Sequence, residues 1–481
     1  MKQLGLVLTF GVGLAVSTMG SEGTSARPNV VVILVDDLGW NDLSCYGSEF
    51  YETPNIDAMA KGGIRFTDGY ASHPVCSPTR AAIMTGKNPC REAINITDWI
   101  PGEQRQKEKL LPPTLNNNLP QSETTIAETL QNAGYATWHL GKWHLGETAA
   151  SWPKAHGFDV NVGGYHRGQP DAYYTPYGNP NLEDGPAGEY LTDRLTSEAI
   201  HLLETRDAEK PFFMYLPFYT VHTPIQACQR HLPRFKEKRA AMGMTDKTPV
   251  KKEGRGTTRM RQDNAAYASM VYAMDENVGR LLDALKSTGV DENTMVILLG
   301  DNGGLSTLEW GSGPTCLLPL RAGKGWGYEG GTRVPFIIDD PQVESGSICS
   351  EPIVATDIYA TVLDRCGLSF RPKQATDSVS LLPLLKNPDG KLKRSQPLVW
   401  HYPHYHGSGW VPGSAIREGD WKLVEFYEDG IVELYNLKDD IGEQNDLAEK
   451  YPEKATALKK KLDAYLKSSG AAMPVPNPNF Q

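Results

Sequence analysis

The stretch CSPTR, residues 76–80, places a cysteine, a proline and an arginine close together. A cysteine usually serves as a small buried hydrophobe or as half of a disulfide bond. Either role leaves Pro78 and Arg80 unexplained, because neither requires a proline or a cation at a fixed distance. The rest of the chain must therefore decide why a cysteine stands in this context.

Oxygen-bearing side chains follow two apolar runs in the same way. The run NVVVILV ends in Asp36 and Asp37, and the run TMVILLG ends in Asp301 and Asn302. Such residues often cap helices or shape turns. Two pairs in the same context, however, suit a hard divalent cation better than zinc. We therefore predict a metal site that contains these four side chains.

Cationic and imidazole side chains occur in several short motifs. GYATWHLGKWHLG contains Lys142 and His144, TVHTP contributes His222, and a Gly-Lys-Gly segment contributes Lys324. A lone histidine is more often structural, and loop lysines are usually solvated. Together with Arg80, these groups would supply cations and proton donors around an anion. The sequence thus predicts a metal site, an anion cradle and acid–base groups.

The elements that must position these residues are strands alternating with helices. The apolar runs at 29–39, 211–224 and 294–304 indicate strands that are buried on both faces, and helical spacing occurs at 123–135 and 265–289. This alternation predicts a large α/β domain with a central, mostly parallel sheet flanked by helices. Ligands of such sheets collect at the carboxyl ends of the strands.

A second, smaller unit is predicted at the C-terminus. The composition changes near residues 370–395, after which 420–440 has the pattern of a hairpin and 449–469 that of a surface helix. We expect a C-terminal α+β subdomain with an antiparallel sheet. Residues 236–262, rich in Lys, Arg, Gly and Thr, are interpreted as a mobile surface insertion.

The composition is that of an ordinary soluble globular protein, with 481 residues of which 40% are hydrophobic and 22% charged. The formal net charge of −10 argues against nucleic-acid binding through a general basic field, although a few local cations can still hold an anionic substrate. Seven cysteines are an odd number; if Cys76 is chemically special, six remain that could pair.

The N-terminus has the layout of a secretory signal peptide. Lys2 precedes an apolar run over 4–16, and small and polar residues follow up to about residue 26. The run is short for a membrane span, and no second apolar stretch is long enough to cross a bilayer. We therefore predict a cleaved signal peptide over 1–26 and an exported mature protein, periplasmic or secreted, without a membrane span.

The motifs together carry a family resemblance. CSPTRAAIMTG resembles the type I sulfatase signature, Cys-x-Pro-x-Arg followed by Thr-Gly, and GYATWHLGKWHLG resembles the second signature of that family. Four further segments occur in the same order as in that family: Asp-Asp, His-Thr-Pro, Asp-Asn-Gly and Gly-Lys-Gly. The resemblance therefore covers most of residues 28–440. It implies an alkaline-phosphatase-like fold. The predicted domains are a catalytic sulfatase domain at 27–385 and a C-terminal subdomain at 386–481.

The resemblance implies a modified nucleophile. In type I sulfatases the signature cysteine is converted to Cα-formylglycine by a formylglycine-generating or sulfatase-maturating enzyme, and CSPTR would serve as its recognition sequence. The hydrated aldehyde at Cys76 would attack sulfur, and Arg80 would stabilise the modified side chain. One Ca²⁺ is implied per chain, with these ligands: Asp36, Asp37, modified Cys76, Asp301 and Asn302.

The resemblance also implies roles for the cations and histidines. Lys142 and Lys324 would face the sulfate oxygens. His222, with Lys324, would protonate the leaving alkoxide, and His144 would deprotonate the second hydroxyl of the hydrate to eject sulfate. General acid–base help of this kind is typically worth about 10² to 10⁴ in rate.

A histidine- and aromatic-rich segment suggests the substrate. WHYPHYHGSGWVPGSAIREGDWKL contains four candidate substrate-binding residues: His401, His404, His406 and Arg417. Such rings can stack on sugars, and Arg417 could pair with a second sulfate or a uronate. A buried aromatic junction between domains is the alternative. Similar HYPHY segments occur in bacterial sulfatases of polysaccharide breakdown, so we expect a sulfated algal or host glycan, with exo action on sulfated galactose or N-acetylgalactosamine favoured.

Two other functions compete with this interpretation. A phosphodiesterase or phosphonate hydrolase of the same superfamily would share the fold, and phosphonate hydrolases can also use formylglycine. A catalytically inactive protein that binds sulfated glycans would be expected to lose parts of the constellation. The complete set of motifs favours the sulfatase.

Overall fold

The computed structural model describes residues 27–103, 105, 107–369 and 374–480, together with Met1. Apart from Met1, the predicted signal peptide at 1–26 lies outside the described residues. The strands are β1 (Asn29–Val35), β2 (Ile64–Phe66), β3 (Gly69–Tyr70), β4 (Leu110–Leu111), β5 (Ala136–Leu140), β6 (Val160–Val162), β7 (Phe212–Phe218), β8 (Val250–Glu253), β9 (Gly256–Arg259), β10 (Thr294–Gly300), β11 (Thr307–Leu308), β12 (Phe336–Asp339), β13 (Ser347–Cys349), β14 (Ile353–Val354), β15 (Leu398–Tyr402), β16 (Gly413–Glu418), β17 (Trp421–Phe426), β18 (Val432–Asn436) and β19 (Val475–Pro476). The α-helices are α1 (Pro54–Gly62), α2 (Cys76–Thr85), α3 (Ile126–Asn132), α4 (Leu191–Thr205), α5 (Leu232–Ala241), α6 (Ala265–Ser287), α7 (Glu329–Thr332), α8 (Asp357–Arg365), α9 (Leu382–Lys386) and α10 (Pro452–Ser469).

A central sheet of eight strands has the order β13-β2-β12-β10-β1-β7-β5-β6. β1 runs parallel to both of its neighbours, β10 and β7, while β12 is antiparallel to β10 and to β2. Between Val30 and Val35 the odd-numbered side chains face one hydrophobic core and the even-numbered ones face the other. This two-sided burial explains the continuous apolar run and confirms the predicted, mostly parallel α/β sheet.

Helices cover both faces of this sheet. α6 packs with α4, α5 and α1 on one side, and its apolar face joins the core formed by the odd-numbered residues of β1. α2, α3 and α8 contribute to the opposite core. α3 begins at a capping box, in which Thr125 Oγ1 accepts from Glu128 N and the Glu128 carboxylate accepts from Thr125 N. The helical predictions at 123–135 and 265–289 are thus confirmed.

The C-terminal unit is an antiparallel sheet in the order β15-β16-β17-β18, with α10 packed on one face. Its other face joins the large domain through an aromatic cluster that includes Trp400, Trp410 and Trp326. The smaller α+β subdomain is therefore confirmed. The domain bounds 27–385 and 386–481 stay predictions, although the four strands all begin after residue 386.

The predicted mobile insertion contains regular secondary structure. Residues 236–262, interpreted as a mobile insertion, contain the end of α5 and the β8–β9 hairpin, and β9 pairs with β11. Sequence analysis missed this regular structure because the partner strand lies far along the chain.

All seven cysteines are free thiols, so the six that could pair do not pair in this structure. Within the described ranges, no helix has the length and apolarity needed to cross a membrane.

Candidate active site

The predicted metal-binding and catalytic residues meet at the carboxyl edge of four adjacent strands, β10, β1, β7 and β5. Parallel strands end on the same side of a sheet, so loops far apart in sequence converge there. The residues that follow these strands are Asp36 and Asp37 after β1, Lys142 and His144 after β5, His222 after β7, and Asp301 and Asn302 after β10. Cys76 enters the group as the first residue of α2, and Lys324 enters from a glycine-rich loop.

Cys76 is buried against His144. Its Sγ lies 3.3 Å from His144 Nδ1. Burial raises the pKa of the Cys76 thiol, so the thiol stays protonated. Burial, followed by the nearby Lys142 charge, lowers the pKa of His144 well below its usual value. His144 Nε2 lies 2.7 Å from the carbonyl oxygen of Ile100 and donates its proton there, which leaves the Nδ1 lone pair facing Cys76.

The backbone around His144 is tightly constrained. His144 has a left-handed φ of 58°, a conformation that costs a non-glycine residue about 1–2 kcal/mol. Gly168 packs on the ring, and a Cβ at that position would lie 2.4 Å from His144 Cε1. The surrounding chain therefore holds the imidazole in one orientation, with Nδ1 directed at Cys76.

Arg80 lies one turn after Cys76 on α2, and its guanidinium is fully engaged with the protein. Nε and Nη2 donate to Asp301 Oδ2 at 3.0 Å and 2.7 Å, and Nη1 donates to the Lys142 carbonyl oxygen at 2.8 Å. Positions i and i+4 share one face of a helix, which explains the Cys-x-Pro-x-Arg spacing. Arg80 thus joins α2 to the loops that follow β10 and β5.

The remaining cations are paired with the two aspartates after β1. Lys142 Nζ lies 2.7 Å from Asp36 Oδ2, and Lys324 Nζ lies 2.7 Å from Asp37 Oδ1. With Arg80 bound to Asp301, three carboxylates balance three permanent cations. Addition of a divalent cation would make the cluster positive. Such a cluster favours binding of an anion.

His222 and Lys324 form a hydrogen-bonded pair. His222 Nδ1 donates to the Thr223 carbonyl oxygen at 2.8 Å, so Nε2 accepts from Lys324 Nζ at 2.9 Å. Burial and the neighbouring Lys324 charge lower the pKa of His222 to about 3. Burial alone would lower the pKa of Lys324, but Asp37, Cys76 and Asp36 together outweigh burial and raise that pKa above its usual value. The proton that this pair can donate therefore lies on Lys324 Nζ.

The oxygen donors fit a hard divalent cation. Asp36 Oδ1 and Asn302 Oδ1 are buried and have no hydrogen-bond partner. Burial raises the pKa of Asp36 well above its usual value, and the nearby charges of Asp301 and Asp37 add to this effect. Ligand atoms of Asp36, Cys76 and Asp301 lie within 4.8 Å of one another. A cation that prefers oxygen ligands would satisfy both orphaned atoms and relieve the repulsion between the carboxylates.

A cavity of about 370 Å³ opens above Cys76. His144, His222 and Lys324 line it, and its other walls are Trp99, Ile100, Pro101, Gly168, Gln169, Thr223, Leu305, Leu308, His406 and Gly407. The Trp99 and His406 rings meet edge to face with centroids 5.0 Å apart. Sequence analysis missed Trp99 and Gln169, because both lie in irregular loops without a motif. The cavity offers an aromatic wall directly beside the cationic cluster.

Of the four candidate substrate-binding residues in the histidine- and aromatic-rich segment, His406 alone lines this cavity. His401 is buried beneath it, with Nδ1 2.7 Å from Ser414 Oγ and Nε2 3.0 Å from the Ala472 carbonyl oxygen. His404 Nε2 lies 3.0 Å from Thr97 Oγ1. Both ring nitrogens of His401 and Nε2 of His404 therefore have hydrogen-bond partners within the protein. For His401 and His404 the structure matches the alternative of a buried junction.

Arg417 also lies outside the Cys76 cavity. It is buried, donates to Asp68 Oδ2 at 2.6 Å and to the Tyr70 hydroxyl, and borders a separate cleft of about 740 Å³. Because these contacts join the C-terminal sheet to the segment around β3, Arg417 has a structural position. The predicted contact between Arg417 and a second sulfate or a uronate stays a prediction, and such a contact would lie outside the Cys76 cavity.

Replacement Arg417→Ala is expected to lower the free energy of unfolding by about 1–3 kcal/mol, because buried hydrogen bonds are lost. The catalytic constants should be unchanged, since no cavity wall is altered. Denaturant unfolding and steady-state kinetics measure the two effects. A lower kcat/KM without loss of stability would return Arg417 to the substrate site.

Comparisons with known proteins agree with this geometry. The sulfatase family model matches residues 28–368, and the model of the N-sulphoglucosamine sulphohydrolase C-terminal region matches 322–469. A sulfatase of Formosa agariphila is 32% identical, over 98% of this chain and 95% of that protein. The N-acetylgalactosamine-6-sulfatase of Homo sapiens is 30% identical, over 76% of this chain and 67% of that protein.

A solved structure extends the agreement to the fold. Ps i-CgsB in complex with k-i-k-neocarrahexaose superimposes with a TM-score of 0.73 and 29% identity, over 94% of both chains. The family match covers the strands that carry the cluster and the helix that begins at Cys76. The chain therefore belongs to the sulfatase family, whose members hydrolyse sulfuric esters.

Proposed function

We propose that this sulfatase removes sulfate from a sulfated carbohydrate, with Cys76 converted to formylglycine and one Ca²⁺ bound beside it. The observation that carries the proposal is the contact between Cys76 Sγ and His144 Nδ1 within a balanced cluster of carboxylates and cations. A neutral cluster that gains a divalent cation accepts a sulfate group without an excess of like charge.

The state of the thiol supports the modification. A buried thiol whose pKa is raised is a poor nucleophile, because the thiolate is the reactive form. Conversion of Cys76 by a formylglycine-generating or sulfatase-maturating enzyme would supply a hydrated aldehyde, whose hydroxyl attacks sulfur. CSPTR lies in the first turn of α2, where it is buried, so we expect the modification to precede folding.

The metal would be held by the oxygen donors identified above: Asp36, Asp37, Asp301 and Asn302. Ca²⁺ suits this set because it prefers several carboxylate and amide oxygens in flexible geometry. When bound, it would neutralise sulfate oxygens and favour ionisation of a hydroxyl at position 76.

The chain's own residues handle the protons. His144 is neutral, and its Nδ1 accepts a proton from a group at position 76. The Lys324–His222 pair delivers a proton to the departing alcohol oxygen. Lys142 and Lys324 face the sulfate, so both lysines exchange part of their contact with aspartate for the substrate.

Gly168→Ala is expected to lower sulfate release by roughly 10²-fold, because a displaced catalytic group loses its reactive geometry. The added methyl carbon would lie 2.4 Å from His144 Cε1. Gly407→Ala is the matched control in the same cavity, since its nearest neighbour would be Arg105 Nη2 at 3.8 Å. Initial rates on an aryl sulfate measure the effect, and full activity of Gly168→Ala would contradict the constrained position of His144.

The cavity supports a sugar as the alcohol. Trp99 offers an aromatic face, and His406 offers a neutral ring whose pKa is lowered to about 3 by burial and by nearby Lys324. Ser408 N donates to His406 Nδ1 at 3.1 Å, so the ring proton lies on Nε2. A ring that stacks and a neutral donor suit a sugar and its hydroxyls.

The relatives support the same class of substrate. One is an N-acetylgalactosamine-6-sulfatase, and another was solved with k-i-k-neocarrahexaose. We favour exo action on sulfated galactose or N-acetylgalactosamine in an algal or host glycan. Export to the periplasm or medium, directed by residues 1–26, is part of the proposal because such glycans lie outside the cell.

Sulfate release from a panel of substrates tests this function. The panel comprises 6-sulfated galactose and N-acetylgalactosamine, oligosaccharides that contain them, 4-nitrophenyl sulfate, and the matching phosphate and phosphonate esters. We expect the highest kcat/KM on a sulfated sugar. Preference for a phosphonate or phosphate diester would favour the superfamily alternative, and N-terminal sequencing of the mature protein tests the predicted leader.

A further inference from the structure

One tryptophan stands out by its exposure. All ten tryptophans lie in the described ranges, and Trp310 alone is exposed, at 81% of its surface. A single exposed apolar side chain is ordinary on a protein surface. Trp310 differs from an ordinary exposed residue because its turn lies next to the Cys76 cavity.

The segment that carries Trp310 is connected to the cavity wall through two residues, Leu308 and Gly407. Leu308 lines the cavity, and because Trp310 is two residues further along, their Cα atoms lie within about 7 Å. Between them, Glu309 N donates to the carbonyl oxygen of Gly407 at 2.9 Å, and Gly407 also lines the cavity. The turn that carries Trp310 therefore borders the cavity, and the exposed indole belongs to this turn.

The turn that carries Trp310 is held firmly. Thr307 pairs with Thr258 in β9 and forms a bridge with Ser312 across the turn. The Glu309 carboxylate accepts from both terminal nitrogens of Arg105, at 3.1 Å and 3.0 Å. A firmly held backbone limits the conformational entropy that Trp310 loses when a ligand stacks on its ring.

We propose that Trp310 forms a second sugar subsite, in which the indole stacks on the pyranose ring next to the sulfated ring held above Cys76. This inference rests on the proposed function, since a neighbouring ring exists only when the substrate is a glycan chain. Pyranose faces present C–H groups that match an apolar aromatic surface.

The charges nearby favour a neighbouring ring of low charge. Arg105 pairs with Glu309, and Arg255 pairs with Glu108 at 2.7 Å, so both guanidinium groups next to the turn are already balanced. These pairs offer hydrogen-bond partners to hydroxyl groups without a net positive field. A second sulfate on the neighbouring ring is therefore not required for binding.

Kinetics on substrates of two lengths test the subsite. For Trp310→Ala, kcat/KM should fall about 3- to 10-fold on a sulfated hexasaccharide that the wild type hydrolyses, and stay within about 2-fold on the matching monosaccharide and on 4-nitrophenyl sulfate. Trp310→Phe should keep most of the activity. Tyr451→Ala is the control, because Tyr451 is an exposed aromatic residue just before α10.

The outcomes separate the two proposals. Equal effects of Trp310→Ala on both lengths, or no effect on either, would overturn the subsite and leave the proposed function intact. A wild-type enzyme that hydrolyses 4-nitrophenyl sulfate but no sulfated sugar would reject the proposed substrate class and the subsite with it. Calorimetry of the hexasaccharide with Cys76→Ala, with and without Trp310→Ala, should show the same fold-change in affinity.

Discussion

Cys76→Ala is expected to lower sulfate release by roughly 10⁴-fold or more, because the position that supplies the nucleophile is lost. The fold should survive. Cys76 is buried, but removal of one sulfur atom from a core position costs only about 1 kcal/mol. Initial rates on 4-nitrophenyl sulfate, with thermal unfolding of the same preparation, measure both quantities.

Cys76→Ser is the sharper companion to this variant. A serine hydroxyl at this position can still donate to His144 Nδ1, but an unmodified serine lacks the second hydroxyl that ejects sulfate. We therefore expect loss of turnover, and peptide mass spectrometry must show that the serine itself is unmodified. Full activity in Cys76→Ala, or in an unmodified serine variant, would contradict the role of Cys76.

The second large effect is expected at the metal site. Asp301→Ala should abolish Ca²⁺ binding and also lower the free energy of unfolding by about 3–5 kcal/mol in the metal-free protein, because it leaves buried Arg80 without its closest carboxylate. Arg80 Nη2 lies 2.7 Å from Asp301 Oδ2, whereas its distance to Asp36 Oδ1 is 3.8 Å, which is too long for a hydrogen bond. We therefore expect Asp301 to have both a ligand role and a structural role.

Asn302→Ala separates these two roles. Asn302 donates to Asp37 Oδ1 at 2.8 Å, while its own Oδ1 has no partner. We expect the Ca²⁺ affinity of Asn302→Ala to fall at least about 10-fold, with sulfate release restored by added Ca²⁺. The metal-free variant should lose less stability than Asp301→Ala, because only the hydrogen bonds of a neutral side chain are removed. Calorimetry with Ca²⁺ after chelator treatment measures the affinities. Unchanged affinity in Asp301→Ala would remove that residue from the ligand set.

There is a physical reason why the sequence predicted which side chains lie close together around Cys76. In a parallel sheet, buried strands are recognisable as apolar runs, and the first polar residues after each run must meet at one edge. Asp36 and Asp301 could therefore be placed together from their positions alone. Arg80 was predictable from the family resemblance, but its partners, Asp301 and the Lys142 carbonyl oxygen, required the structure.

The substrate region was much harder to predict. His401 lies within β15 and Arg417 within β16, where both side chains are covered by neighbouring elements. An aromatic-rich strand does not reveal what covers each of its faces, so a junction between domains resembles a sugar-binding surface. Conversely, Trp99 lines the cavity and Trp310 lies on a turn that borders it, and no periodic pattern describes the course of either loop.

The direction of proton transfer also needed atomic detail. Motifs predicted His222 as a proton donor, whereas the neutral ring accepts from Lys324 in this structure. For His144, the hydrogen bond to the Ile100 carbonyl oxygen settles which nitrogen faces Cys76. Such tautomers depend on backbone carbonyls that no side-chain pattern encodes.

The central claim is that Cys76 is converted to formylglycine and acts as the nucleophile, and mass spectrometry of the peptide that contains Cys76 tests it most directly. The peptide should come from protein purified from its native source and shown to release sulfate. We predict the mass of an aldehyde in place of the thiol side chain. An active enzyme whose Cys76 peptide carries only the unmodified thiol would contradict this account.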